Sequence, residues 1–222
     1  MPEFEYVSRR EAQPIKKEVI ALIHKVQDYV RKDFTFGYRF VGNSTGDRNM
    51  ITREKDGNKG FDFNVDLIPN VDNDKYTAAE IATILFTAID HCMRIAALNK
   101  QMEKYGEIVI DDLENVFTIK VIDRADSKTE HSCDFKIIRT LCKRKEQYKQ
   151  CIYVDKILGV RRWEISLDYD IEKRLQLIKD HDLSSELRDR YLSNKNQNKI
   201  PTKKSREIFS ETVNSILYEY HI

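Results

Sequence analysis

An α+β fold, a mixed sheet flanked by helices with a helical C-terminal extension, is what the apolar periodicity of this chain specifies. Three features carry that expectation: an amphipathic helix near the N-terminus, two apolar strands framing a polar loop across residues 40–69, and a change to helical pattern near residue 170. Ile15, Val19, Leu22, Val26 and Tyr29 recur at helical spacing, so residues 11–32 form a helix with one buried stripe. Residues 34–42, rich in aromatic and β-branched side chains, read as the first strand, and Gly42 ends it. Asp56, Gly57, Asn58 and Gly60 make a turn-rich approach to the second strand. After Pro69, Thr77 and Glu80 form a capping-box pair that opens a long helix to residue 104 or so. Residues 116–123 and 131–139 form an antiparallel pair, and 150–157 and 163–167 are further strand pieces. From Asp170 the pattern is helical, with a basic loop around Asn194 to Pro201 separating the last two helices. The expected organisation is a core over residues 1–169 with a helical region, 170–222, packed on it.

A chain of 222 residues with 38 Lys+Arg against 37 Asp+Glu has almost no net charge, so the global balance does not mark a general polyanion binder; nucleic acid stays open as a partner but is not indicated. The charge is uneven. Arg188, Arg190, Lys195, Lys199, Lys203, Lys204 and Arg206 face only Asp189 in their stretch, which is expected to be a solvated helix surface and loop. Cys92, Cys133, Cys142 and Cys151 contain no C-x-x-C pair and are expected to be buried free thiols. The five histidines have no zinc spacing. The N-terminus lacks an apolar signal region, and the apolar stretch Ile81 to Ile89 is too short to span a bilayer, so no membrane association and a cytoplasmic location are expected.

The stretch that carries chemistry is FVGNSTGDRNMITREKDGNKGFDFNVDLIP. Alternation places Asp62, Asn64 and Asp66 on one strand face and Phe61, Phe63, Val65 and Leu67 on the other. One face is core; the other is a row of oxygen ligands of the kind a hard divalent cation takes. Upstream lies the small-residue turn Gly42, Asn43, Ser44, and downstream a further aspartate, Asp134, in the strand-like segment HSCDFKII.

This order of elements resembles the nucleotidyltransferase superfamily, which includes DNA polymerase beta, poly(A) polymerases and the bacterial cyclic-oligonucleotide synthases. Its signature is a hydrophobic residue and Gly-Ser or Gly-Gly, then a D-x-D carboxylate pair on the next strand, then a lone carboxylate on a later one. Val41, Gly42 and Ser44 match the first element with Asn43 inserted, Asp62, Asn64 and Asp66 the second, and Asp134 the third. The likeness covers residues 10–170; the loop between Ser44 and Asp62 is longer than usual, and Asn64 stands where a carboxylate belongs. The pair is Asp62 with position 64, or position 64 with Asp66, or else Asp62 and Asp66 straddle the ion with Asn64 between them; the sequence leaves all three open.

The resemblance implies Mg²⁺- or Mn²⁺-dependent transfer of a nucleoside monophosphate from a nucleoside triphosphate, ATP being expected, to an unidentified hydroxyl. Two ions about 3.5–4 Å apart would be shared by substrate and carboxylates. Asp62, Asp66 and Asp134 are the implied catalytic carboxylates, and with Asn64 the implied metal ligands. Gly42, Asn43, Ser44, Arg48, Lys59 and Lys136 are the implied nucleotide contacts. The alternative, carried by Asn64, is a catalytically degenerate protein of the same fold that binds a nucleotide or partner without turnover.

Overall fold

The computed structural model describes residues 3–44, 50–57, 59–71, 75–98, 107–112, 116–122, 128–143, 146–155, 157–166, 171–200 and 203–222. Strand β1 (Phe4–Tyr6) precedes helix α1 (Arg9–Val30), strand β2 (Thr35–Phe40) and a single 3-10 turn over Gly42–Ser44. Then come β3 (Thr52–Glu54), β4 (Lys59–Asn70), α2 (Ala78–Leu98), β5 (Glu107–Asp112), β6 (Phe117–Ile122), β7 (Thr129–Lys143), β8 (Glu146–Asp155) and β9 (Val160–Ile165). Three helices close the chain: α3 (Ile171–Asp180), α4 (Ser184–Gln197) and α5 (Ser205–Glu219).

Local chemistry accounts for the main boundaries. Ser8 and Glu11 exchange side-chain and backbone bonds in a capping box that starts α1, and Thr77 with Glu80 does the same for α2. The expected continuation of α2 beyond Leu98 falls outside the described residues. β1, β3 and β5 were not foreseen: the first two are three residues each and gain their regularity only by pairing with one another. β5 is fixed the same way, by the ladder it makes with β6.

The large sheet runs β2-β4-β7-β6-β5, with β8 joined to the far half of β7 and β9 to β8. It is mixed, because β4 and β7 are parallel while β2–β4 and β6–β7 are antiparallel. On one face Phe63, Val65, Leu67, Phe117, Ile119, Val121, Cys133, Phe135 and Ile137 are buried with the apolar stripes of α1 and α2. A second buried cluster joins Met50 to Leu175, Leu187, Tyr191, Phe209, Val213 and Ile216 of α3, α4 and α5. Those helices lie over the opposite, polar face of the sheet, where Asn64, Asp66, Asp134 and Lys136 are all buried. Cys92, Cys133 and Cys151 are buried free thiols, as expected. No described helix is long and apolar enough to cross a membrane.

His131 sits on the apolar face of β7, and burial pushes its imidazole down to about 4 from the ordinary 6.5. A depressed histidine stays neutral in the fold while the unfolded chain protonates, so its contribution to stability is intact above pH 6.5 and is lost as pH falls towards 4. The loss at the bottom of that window is about 3 kcal/mol. Urea unfolding at stepped pH is expected to show this slope, and His131→Leu to flatten it; an equal slope in the variant removes His131 as its source.

Candidate active site

Gly42 has φ of +60°, the left-handed region in which a side chain is strained, so the chain can reverse here only on glycine. The turn is stitched to β4: Val41 N donates to Asn64 O at 3.0 Å, and Asn64 N donates to Ser44 Oγ at 2.8 Å. Asn64 Nδ2 donates to Asn43 Oδ1 at 2.8 Å, Ser44 Oγ donates to the same oxygen at 3.1 Å, and Asn43 Nδ2 donates to Tyr191 Oη at 3.3 Å. The inserted Asn43 thus satisfies the amide at position 64 and ties the turn to α4. Asn64 Oδ1 is left over, a buried oxygen with no hydrogen-bond partner among the described residues.

Register sets two rows across the polar face. In one, Asn64 of β4 faces Asp134 of β7, which faces Thr118 of β6. Thr118 Oγ1 donates to Asp134 Oδ1 at 2.5 Å. Burial holds the Asp134 carboxyl above the ordinary carboxylate range, and the nearby charge of Asp62 pushes it further the same way, against Lys204, Thr118 and Arg206. In the next row Arg39 of β2 faces Asp66 of β4, which faces Lys136 of β7.

The helical region supplies the cations. Lys195 Nζ of α4 lies 3.7 Å from Asp62 Oδ2, and it donates to Thr52 Oγ1 at 2.5 Å and Ser205 Oγ at 2.7 Å. Lys204 Nζ lies 3.7 Å from Asp134 Oδ1. Arg206 Nη1 donates to Asp66 Oδ1 at 3.1 Å, while Arg39 donates to Asp66 Oδ2 from Nη2 at 3.2 Å. The carboxylates therefore divide. Asp66 holds a guanidinium on each oxygen at hydrogen-bond distance, whereas Asp62 and Asp134 meet their ammonium groups only at ion-pair distance.

The expected site residues are placed unequally. Asn64 faces Asp134 in register with the Asp62 charge close enough to act on it, while Asp66 pairs with Arg39 and Arg206. Among the described residues no group of three or more His, Cys, Asp or Glu is placed to hold a metal ion. The turn is not an open phosphate cradle: Gly42, Asn43 and Ser44 are buried, Ser44 spends its hydroxyl proton on Asn43, and Phe209 of α5 lies 3.6 Å from the position a Gly42 Cβ would take. Lys136 is buried, donates to Ser166 Oγ at 3.2 Å in the second row, and lines one cavity together with Val41 and Gly42 of the turn. Arg48 lies outside the described residues, and so does the side chain of Lys59. The basic run is not all solvated surface: Lys195, Lys204 and Arg206 reach the site. Its excess of cations was the visible signal; that α4 and α5 fold over the motif was not.

Asp134→Asn keeps an oxygen for Thr118 and removes a charge that the fold disfavours. A carboxyl held above its ordinary pKa contributes fully below its unfolded pKa and loses that contribution as pH rises through its folded pKa, so at pH 7 the variant is expected to melt a few degrees higher than the wild type. Calorimetry checks this, and a lower melting temperature would contradict the assignment of Asp134 as a strained, site-forming carboxylate.

With the fold and these distances in hand, the class is defined: the chain has the nucleotidyltransferase fold. It is similar to Vibrio cholerae DncV cyclic AMP-GMP synthase in complex with the linear intermediate 5′ pppA(3′,5′)pG, with a TM-score of 0.61 at 11% identity over 94% of this chain and 67% of that one. Escherichia coli DncV in its 3′-deoxy GTP bound form gives 0.53 at 15% identity over 94% of this chain and 53% of that one. The 3′-deoxy ATP bound form of Vibrio cholerae DncV gives 0.55, also at 15% identity, with 52% of that chain covered. The chain therefore spans about half the length of the two 3′-deoxy nucleotide-bound structures and two-thirds of the chain bound to the linear intermediate. No family model and no curated protein matches the sequence.

Proposed function

We propose that the chain is a nucleotidyltransferase that binds a nucleoside triphosphate, ATP in the first instance, and passes its nucleoside monophosphate to a hydroxyl acceptor. The observation that carries this is the row Asn64–Asp134, in register and flanked by Asp62, with the buried Asn64 Oδ1 lacking a hydrogen-bond partner among the described residues. Two carboxylates and an orphaned amide oxygen are a hard donor set that fits one Mg²⁺ or Mn²⁺, whose other positions water and phosphate would fill. A bound ion would neutralise phosphate charge and favour the alkoxide form of the acceptor.

The protein's own groups do the rest. Lys195 and Lys204 neutralise Asp62 and Asp134 in the free protein, and when the carboxylates take a cation it is the Lys204 ammonium that turns to the triphosphate. Lys195, anchored by Thr52 and Ser205, is the fixed member; Lys204, with a third of its side chain exposed, is the one that swings. Asp66 stays with Arg39 and Arg206 and holds α5 to the sheet. Thr118 orients Asp134 by its short bond.

The same lysines favour a second reading, in which positive charge already seated on both carboxylates replaces the metal and the protein binds a nucleotide or partner without turnover. Thermal shift with ATP or GTP, with and without Mn²⁺, together with transfer from radiolabelled ATP, separates the two. The first reading expects metal-dependent stabilisation and label transfer, the second stabilisation that ignores metal; no nucleotide effect at all would end both.

A further inference from the structure

The β8–β9 hairpin leaves one strand edge open: among the described residues β9 pairs with β8 alone. That edge carries none of the usual safeguards against pairing, since VRRWEI has no lysine, no proline and no bulge against β8. Parity fixes which backbone groups it presents. Ser166 N donates to Lys149 O at 2.9 Å in line with the β8 register, so Glu164 and Arg162 turn their backbone groups towards β8, and Trp163 and Ile165 turn theirs outward.

Side chains alternate in the same step. Arg162 and Glu164 share one face and already pair, Nη2 to Oε1 at 2.8 Å. Trp163 and Ile165 share the other: Trp163 packs on the main core with the Arg139 guanidinium 4.3 Å from its ring centre, while Ile165 is 67% exposed.

We propose that β9 is a dimerisation edge, pairing antiparallel with β9 of a second copy of this chain about a twofold axis through Trp163. In such a ladder outward-pointing residues stand opposite outward-pointing residues, so the copies can slide only in steps of two. Centred on Trp163, the ladder sets Arg162 of each copy opposite Glu164 of the other, and the two ion pairs join into a ring of four charges. The register on one side sets Arg162 opposite Arg162, and that on the other sets Glu164 opposite Glu164, both repulsive at cross-strand distance. Charge thus selects the central register. In it Trp163 exchanges two backbone bonds with its own copy, and Ile165 lies diagonal to Trp163 of the other chain, where its exposed surface leaves water. The inference rests on β9 and stands whether or not Asp62 and Asp134 support transfer.

Two six-residue edges bury less than the roughly 1,200 Å² at which stable interfaces begin, so the dimer is expected to be weak, with Kd on the order of 0.1 mM. Sedimentation velocity from about 10 µM to 1 mM, a range that brackets such a Kd, reads it. Trp163 is the one tryptophan of the chain, so its fluorescence reports the axis directly and is expected to shift to shorter wavelength along the same concentration curve. Arg162→Glu and Glu164→Arg each set like charges opposite and are each expected to weaken association about fivefold or more; an equimolar mixture of the two variants is expected to recover it, because their edges are then complementary. Ile165→Pro removes an outward N–H, leaves the β8 ladder intact and is expected to give a monomer. If it fails to fold, the exposed charge variants decide. A monomer at 1 mM, a dimer indifferent to the charge variants and their mixing, or a dimer broken by Leu158→Asp at the exposed hairpin tip and not by the charge variants, overturns the proposal.

Discussion

Asn64→Asp is expected to tighten Mn²⁺ binding by about 10- to 100-fold and to raise transfer activity, because a carboxylate attracts a divalent cation that an amide oxygen only solvates. The site can take the change. Asn43 can turn its amide over, so that Nδ2 faces the new carboxylate and Oδ1 accepts from Tyr191, whose hydroxyl is already its neighbour. Without metal the extra charge stands beside Asp62 and Asp134, which raises carboxylate pKa values and lowers the melting temperature. Mn²⁺ is then expected to restore more stability than it adds to the wild type, since a ligand stabilises in proportion to its affinity for the folded state. Calorimetric titration and melting curves with and without Mn²⁺ read both effects. Unchanged Mn²⁺ affinity would mean that position 64 does not face the ion, and no Mn²⁺ binding by either protein would leave the non-catalytic reading standing.

The second large effect is a split in sign. Lys204→Ala removes the cation 3.7 Å from Asp134 Oδ1, so Mn²⁺ alone is expected to bind about five- to tenfold more tightly, because the nearest ammonium no longer competes for the carboxylate. Metal-free ATP is expected to bind about tenfold more weakly, because the same ammonium is the one offered to the triphosphate. Both effects shrink at high salt, as one-third of the Lys204 side chain is exposed. Lys204→Arg, which keeps the charge, is expected to preserve ATP binding. Should metal and ATP affinities fall together in Lys204→Ala, the lysine is a packing residue and the exchange of cations at Asp134 is wrong.

Asp62, Asn64 and Asp66 share a sheet face because strand alternation is local and rigid, and that was readable residue by residue, whereas Asp134 joins them through the parallel register of β4 with β7. The same holds for the starts of α1 and α2, where Ser8–Glu11 and Thr77–Glu80 are separated by three residues and each pair closes on itself. The resemblance in motif order located the fold, and the shared architecture with DncV upholds it. What could not be read was anything set by contacts distant along the chain. Arg39 and Arg206, 27 and 140 residues from Asp66 in sequence, each donate to one of its oxygens, although on the strand it is the equal of Asp62. Lys195, 143 residues from Thr52, is buried by a partner no pattern in its own helix announces. A strand dictates which way its side chains point over two residues; which charge meets them depends on how the helical region closes over the sheet, and that is decided by the packing of Tyr191, Phe209 and Val213 in a second core, whose free energy is a property of the whole fold.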